Sequence, residues 1–101
     1  MNTNEKMEAI LSLRHEVPNL TLTIETGIAP VILRLSNVYV GNDGYMLSVA
    51  GCGETMDEAI DNLAYRLMEN GDYVIVDINK RGGPRMLRYR DGAWWTVKYG
   101  F

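Results

Sequence analysis

The stretch G-C-G-E-T-M-D-E-A-I-D-N-L-A-Y-R-L-M-E-N-G, residues 51–71, anchors the reading of the whole chain. Thr55 and Glu58 stand at the S/T-x-x-E spacing of a capping box, in which each side chain satisfies a backbone N–H left over at a helix start. Met56, Ala59, Ile60, Leu63, Ala64 and Leu67 recur at the spacing of one helical face. Asn70 and Gly71 end the helix, because glycine takes the left-handed C′ conformation at almost no cost. A strand is expected to finish at Ala50, so that Gly51 and Gly53 turn the chain tightly into the helix.

Working outward, Thr3 or Asn4 can cap a first helix over residues 3–16, with Met7, Ile10, Leu11 and Arg14 on one side. Pro18 closes it, since the residue before a proline is pushed out of the helical region. Leu20, Leu22 and Ile24 alternate with Thr21, Thr23 and Glu25, which predicts a half-buried strand. Gly27 to Pro30 turns the chain into a second strand, Val31 to Val40. Its apolar phase slips after Asn37, and a bulge at Ser36-Asn37 would account for the slip. Gly41-Asn42-Asp43-Gly44 reads as a turn, and Tyr45 to Ala50 as the third strand. Beyond the central helix, Tyr73 to Ile78 is apolar on both faces, as a central strand would be. Asn79 to Pro84 is a loop. The chain then predicts a hairpin, residues 86–90 and 93–97 about Asp91-Gly92, a strong two-residue turn signal. In that register Tyr89 faces Trp94, and Arg88 faces Trp95. The order α-β-β-β-α-β-β-β gives an α+β fold, one antiparallel-rich sheet with two helices, in a single domain over residues 1–101.

The hydrophobic share of 47% is enough for a core without covalent staples. Cys52 is the sole cysteine, which excludes an internal disulfide and fits a reducing compartment. The polar N-terminus lacks the apolar core of a signal peptide, and no apolar run reaches membrane-spanning length, so a cytoplasmic location is expected. The net charge of −3 hides a division. Before Lys80, four basic residues stand against twelve acidic ones, a net of −8. From Lys80 onward, six basic residues stand against Asp91 alone, a net of +5. The division fits either a binding surface at one end of the chain or attraction between the two parts within the fold.

Residues 31–68 resemble a known build. The hairpin V-I-L-R-L-S-N-V-Y-V-G-N-D-G-Y-M-L-S-V is followed by G-x-G-x-T-x-x-E-A-x-x-N-L. This resembles the HicB-like antitoxin domain, in which a Gly-Asp-Thr-x-x-Glu-Ala segment opens the helix. With the first helix included, the order also resembles the double-stranded-RNA-binding domain and small phage proteins, among them some anti-CRISPR inhibitors. The resemblance implies an α+β fold and a binding role, in a host cytoplasm if phage-encoded. Double-stranded-RNA-binding domains carry lysines at the start of the second helix. Glu54, Asp57 and Glu58 stand there in this chain and would repel phosphate.

Chemistry-bearing motifs are sparse. Gly51-x-Gly53 lacks the third glycine of a dinucleotide fingerprint, Met56 standing in its place. Cys52 and His15 could form a nucleophile pair, but His15 falls at a helix end and no third residue orients it. One histidine and one cysteine do not make a metal cluster, and no cofactor is expected. Glu54, Asp57, Glu58 and Asp61 complement the helix dipole, or form an acidic contact surface for a basic partner. The terminal hairpin is the foremost candidate for partner binding. If Trp94 packs inward with Tyr89, then Trp95 lies outward with Arg88, Arg90 and Tyr99, where arginine over tryptophan would form a cation–π contact. Arg81 and Arg85 add to this basic end. The structural alternatives are that helices sandwich the sheet or that a self-dimer covers the face. The sequence therefore points to a non-enzymatic phage or mobile-element inhibitor of a host protein complex. The alternatives are a HicB-like antitoxin masking a toxin, and a nucleic-acid binder using the basic hairpin.

Overall fold

A computed structural model describes residues 1–28, 30–42 and 44–100. The expected turns at 27–30 and 41–44 include Ala29 and Asp43, which lie outside the described residues. The chain runs α1 (Thr3–Leu11), a 3-10 turn (Ser12–His15), β1 (Thr21–Glu25), β2 (Val31–Asn42), β3 (Tyr45–Gly53) and α2 (Met56–Ala64). A π turn (Tyr65–Glu69), β4 (Tyr73–Val76), β5 (Arg85–Arg90) and β6 (Ala93–Tyr99) complete it. Two helices and a six-stranded, wholly antiparallel sheet make the α+β fold.

β2 is the spine of the sheet. β3 lies along one of its sides, and β1 and β4 share the other, β1 pairing with residues 32–36 and β4 with residues 39–41. β5 and β6 extend the sheet beyond β4, which is therefore central, as its two apolar faces require. The expected bulge is present: the β2–β3 register shifts between Arg34 and Tyr39, and Asn37 takes a φ of 64°. One face of β2 thus carries Leu33 and Leu35 before the bulge and Val38 and Val40 after it, all buried.

Both helices cover that face. The core joins Ile10 from α1 and Leu13 from the 3-10 turn, Ala59, Ile60, Leu63 and Ala64 from α2 and Leu67 from the π turn, and Val49, Val74, Val76, Leu87 and Trp94 from the sheet. The expected apolar stripe of α2 is the buried stripe, apart from Met56, which is exposed. Among the described residues the opposite face has no helix on it, so the helices do not sandwich the sheet. Ile75 and Met86 point there, in register with Tyr39 on one side and Lys98 on the other, and both are fully shielded from solvent.

Three local readings need correction. Asn2 caps α1, its Oδ1 accepting from Glu5 N at 2.8 Å while Glu5 Oε1 accepts from Asn2 N at 2.9 Å. Thr3 instead donates to Asp61 Oδ1. In α2, Thr55 Oγ1 accepts from Glu58 N as expected, but Glu58 Oε2 reaches one residue further back, to Glu54 N at 3.0 Å. The third correction concerns the glycines. β3 continues through Gly53, and neither Gly51 nor Gly53 has a positive φ. A Cβ on Gly51 would lie 2.4 Å from Ala59 O and from Leu63 N; one on Gly53 would lie 2.7 Å from Ala59 N. The glycines are there so that the backbone of α2 can lie directly on β3, a close approach that only glycine permits.

Candidate functional site

The helix-free face of the sheet carries a row of side chains across its strands. Met46 on β3 pairs with Gly41 on β2, which pairs with Tyr73 on β4; Arg88 on β5 follows and pairs with Trp95 on β6. The alternation of β5 and β6 about the Asp91-Gly92 turn sets Trp94 inward and Trp95 outward, in the expected register. Trp94 is 7% exposed, with its ring 5.2 Å from that of Tyr89. Trp95 is 51% exposed. Its indole N–H is already satisfied, donating to Arg90 O at 2.8 Å, so the exposed part of the ring is apolar and held in one orientation.

Arg88 is held as well, but not by Trp95 as expected. Its guanidinium lies 4.4 Å from the centre of the Tyr73 ring, and Nη2 donates to Gly71 O at 3.0 Å. Nothing in the spacing of the sequence links Tyr73 to Arg88; the pairing arises from the β4–β5 ladder. Arg90 and Arg81 are exposed, Arg90 at the hairpin tip and Arg81 in the loop before β5.

Two expected members belong elsewhere. The β5–β6 register shifts between Met86 and Leu87, leaving Val97 as the extra residue. Such a bulge flips the alternation. Tyr99 therefore pairs with Arg85 on the helix-bearing side, away from Trp95, and is 73% exposed there. Arg85 is a structural hub rather than a surface cation. Its Nε donates to Asp77 Oδ2, and its Nη1 donates to Glu16 Oε2 at 3.0 Å and to Thr96 Oγ1 at 2.9 Å. Burial alone would raise the Asp77 carboxyl, but hydrogen bonds from Arg85 and Lys80 outweigh it and hold the group below its ordinary range. The Asp77 bond in turn raises Arg85, against the opposing effect of burial. Part of the basic C-terminal cluster is thus spent on acidic groups earlier in the chain.

The acidic residues of the central helix divide in the same way. Asp61 accepts from Thr3 and, at 3.5 Å, from Lys6, tying α2 to α1. Glu58 serves the cap. Glu54 and Asp57 remain exposed. Cys52 lies on β3 at one side of the sheet, whereas His15 lies in the 3-10 turn that packs near β6 at the other, so the pair does not meet. No three metal-ligating side chains cluster among the described residues.

A polar cleft beside the β2 bulge is lined by Asn19, Asn37, Tyr39, Asp77, Asn79 and Lys80, among others. Asn37 and Asp77 are both left-handed there, with φ of 64° and 59°. Their side chains are already engaged: Asn37 Nδ2 donates to Asn19 O at 3.0 Å, and Asp77 is bound by Arg85 and Lys80.

The fold and surface define a small α+β domain with its helices on one face of the sheet and a tryptophan–arginine row on the other. No family model matches the chain, and neither curated proteins nor solved structures give a match.

Proposed function

We propose that this domain works by binding a protein partner through the helix-free face of its C-terminal hairpin, without catalysis. Trp95 is the anchor, and the observation that carries the reading is its half-exposed ring fixed by a hydrogen bond to Arg90 O. Immobilising a side chain on binding costs about 0.5–1.5 kcal/mol, and here most of that cost falls in folding instead. Arg88, held over Tyr73, is similarly preorganised, and Trp, Tyr and Arg are the residue types that dominate binding hot spots. Exposed Arg90 forms the rim. The resemblance of residues 31–68 to small phage inhibitors supplies the biological setting, a phage or mobile-element protein that inhibits or modulates a host complex.

Pull-down from host lysate, with and without nuclease, tests the reading. A nuclease-resistant partner should be captured by the wild type, lost with Trp95→Ala and weakened by Arg88→Ala/Arg90→Ala. Capture that vanishes with nuclease, or tight salt-sensitive binding to bare DNA or RNA, would overturn it.

A further inference from the structure

Among the described residues, three strands of the sheet each pair on one side only: β1, β3 and β6. An unpaired strand edge offers a row of free N–H and C=O groups to any other strand, and proteins that stay monomeric guard such edges with charge, proline, bulges or short length. β1 has five residues and carries Glu25, paired with Arg34 at 2.8 Å. β6 carries Lys98 and the bulge at Val97. β3 has none of these devices. It is Y-M-L-S-V-A-G-C-G, nine residues without a charge or a proline.

The free edge of β3 is not uniform. Toward its end, Asn62 Nδ2 donates to Cys52 O, and α2 lies close over Gly51 and Gly53. At its start, Tyr45, Met46 and Leu47 are 69%, 38% and 51% exposed. The open part is thus the short segment Tyr45–Val49, with Leu47 at its middle.

We propose that this segment pairs antiparallel with its counterpart in a second copy of the chain, about a two-fold axis at Leu47. Three observations favour a second copy over an unrelated strand. A two-fold axis sets each residue against one from the same short stretch, which is penalised when the stretch is charged; β3 has no charge to repel itself. On the helix side half-exposed Leu47 would meet its twin and exposed Tyr45 would pair with the partner copy's buried Val49, while Met46 pairs with Ser48 on the other, so the two Leu47 side chains cover each other at the axis. The Asn62 contact stops the open segment short, whereas a longer guest strand would run into it.

Sedimentation velocity over a rising protein concentration tests this, with circular dichroism confirming that each variant is folded. The wild type should pass from monomer to dimer. Leu47→Lys and Leu47→Glu should each remain monomeric, because like charges would face each other at the axis. Mixing the two variants should restore a dimer, because Lys would then face Glu. The Trp95 surface lies on a different strand, so partner capture should be unchanged in both variants and the two readings fail separately. A wild type that stays monomeric at high concentration, dimers that persist in the single variants, or a mixture that does not associate would each overturn the proposal.

Discussion

The indole of Trp94 donates to the carbonyl of Ala9 at 2.9 Å, joining the last strand to the first helix across 85 positions of sequence. The acceptor is available because α1 tightens into its 3-10 turn just beyond it; Ser12 Oγ donates to the same oxygen at 2.6 Å. Trp94→Phe keeps a ring against Tyr89 and leaves the Ala9 carbonyl its serine partner. It should cost about 1 kcal/mol in urea denaturation, the net worth of one hydrogen bond. Trp94→Ala should cost about 3–5 kcal/mol.

The contact of α2 with β3 makes a second prediction. Gly51→Ala should destabilise by about 1–3 kcal/mol or more, because the added methyl meets helix backbone that cannot yield without moving α2. Gly44→Ala meets nothing within 4 Å, and only its φ of 83° opposes the change, at a cost of about 1–2 kcal/mol. Leu63→Ala, in the fully buried stripe of the same helix, should cost about 2–5 kcal/mol, and Thr55→Ala about 1 kcal/mol through the lost cap. The check is denaturation of all four under one condition. Equal tolerance of alanine at positions 51 and 44 would refute the close-approach role of Gly51.

The Asp77–Arg85 pair predicts a pH dependence. The folded-state pKa of Asp77 lies below its ordinary value of 3.8, so the pair's contribution is present above that value and is lost as pH falls through the folded pKa. Asp77→Asn preserves the left-handed backbone, which asparagine also tolerates. Its stability deficit relative to wild type should be largest near neutrality and should shrink below about pH 4. The raised pKa of Arg85 leaves it charged throughout this range, so it adds no slope. Denaturation midpoints of both proteins between neutral and acid pH are the measurement.

Cys52→Ser and His15→Ala should leave partner capture intact, since the two residues lie at different sides of the sheet. A large loss in both variants, with folding preserved, would restore a chemical role for them.

Much of this architecture is legible in local pattern. The stripe from Ala59 to Leu67, the phase slip after Asn37, the Asp91-Gly92 turn and the two apolar faces of β4 each leave a mark in spacing, because each is written in the order of residues along one segment. The parts that escaped are set by contacts distant in sequence. Gly51 and Gly53 signal a turn to a local reading, yet their purpose depends on a helix lying across them. Plain alternation sets Tyr99 beside Trp95, and the bulge at Val97 that separates them leaves no break in the apolar pattern of the strand. Arg85 looks like its neighbours Arg88 and Arg90 until Glu16, 69 residues away, is brought to it. Within the candidate surface, Trp95, Arg88 and Arg90 were legible from strand alternation, whereas Tyr73 was not.

The sharing of one side of β2 by β1 and β4 has a kinetic consequence. The sheet consists of two meanders, β1–β2–β3 and β4–β5–β6, each continuous in sequence and able to zip through local hairpins. Among the described residues they meet across three residue pairs, Tyr39–Ile75, Val40–Val74 and Gly41–Tyr73, which lie 32 to 36 positions apart. Closing that seam is the slow search in assembling the sheet, because its loop entropy is spent before any distant contact rewards it. Once closed, the seam holds Val40 and Val74 in the core. Its amides should therefore exchange with solvent only when the whole molecule unfolds, while those at the β3 edge and the β6 end exchange by local opening.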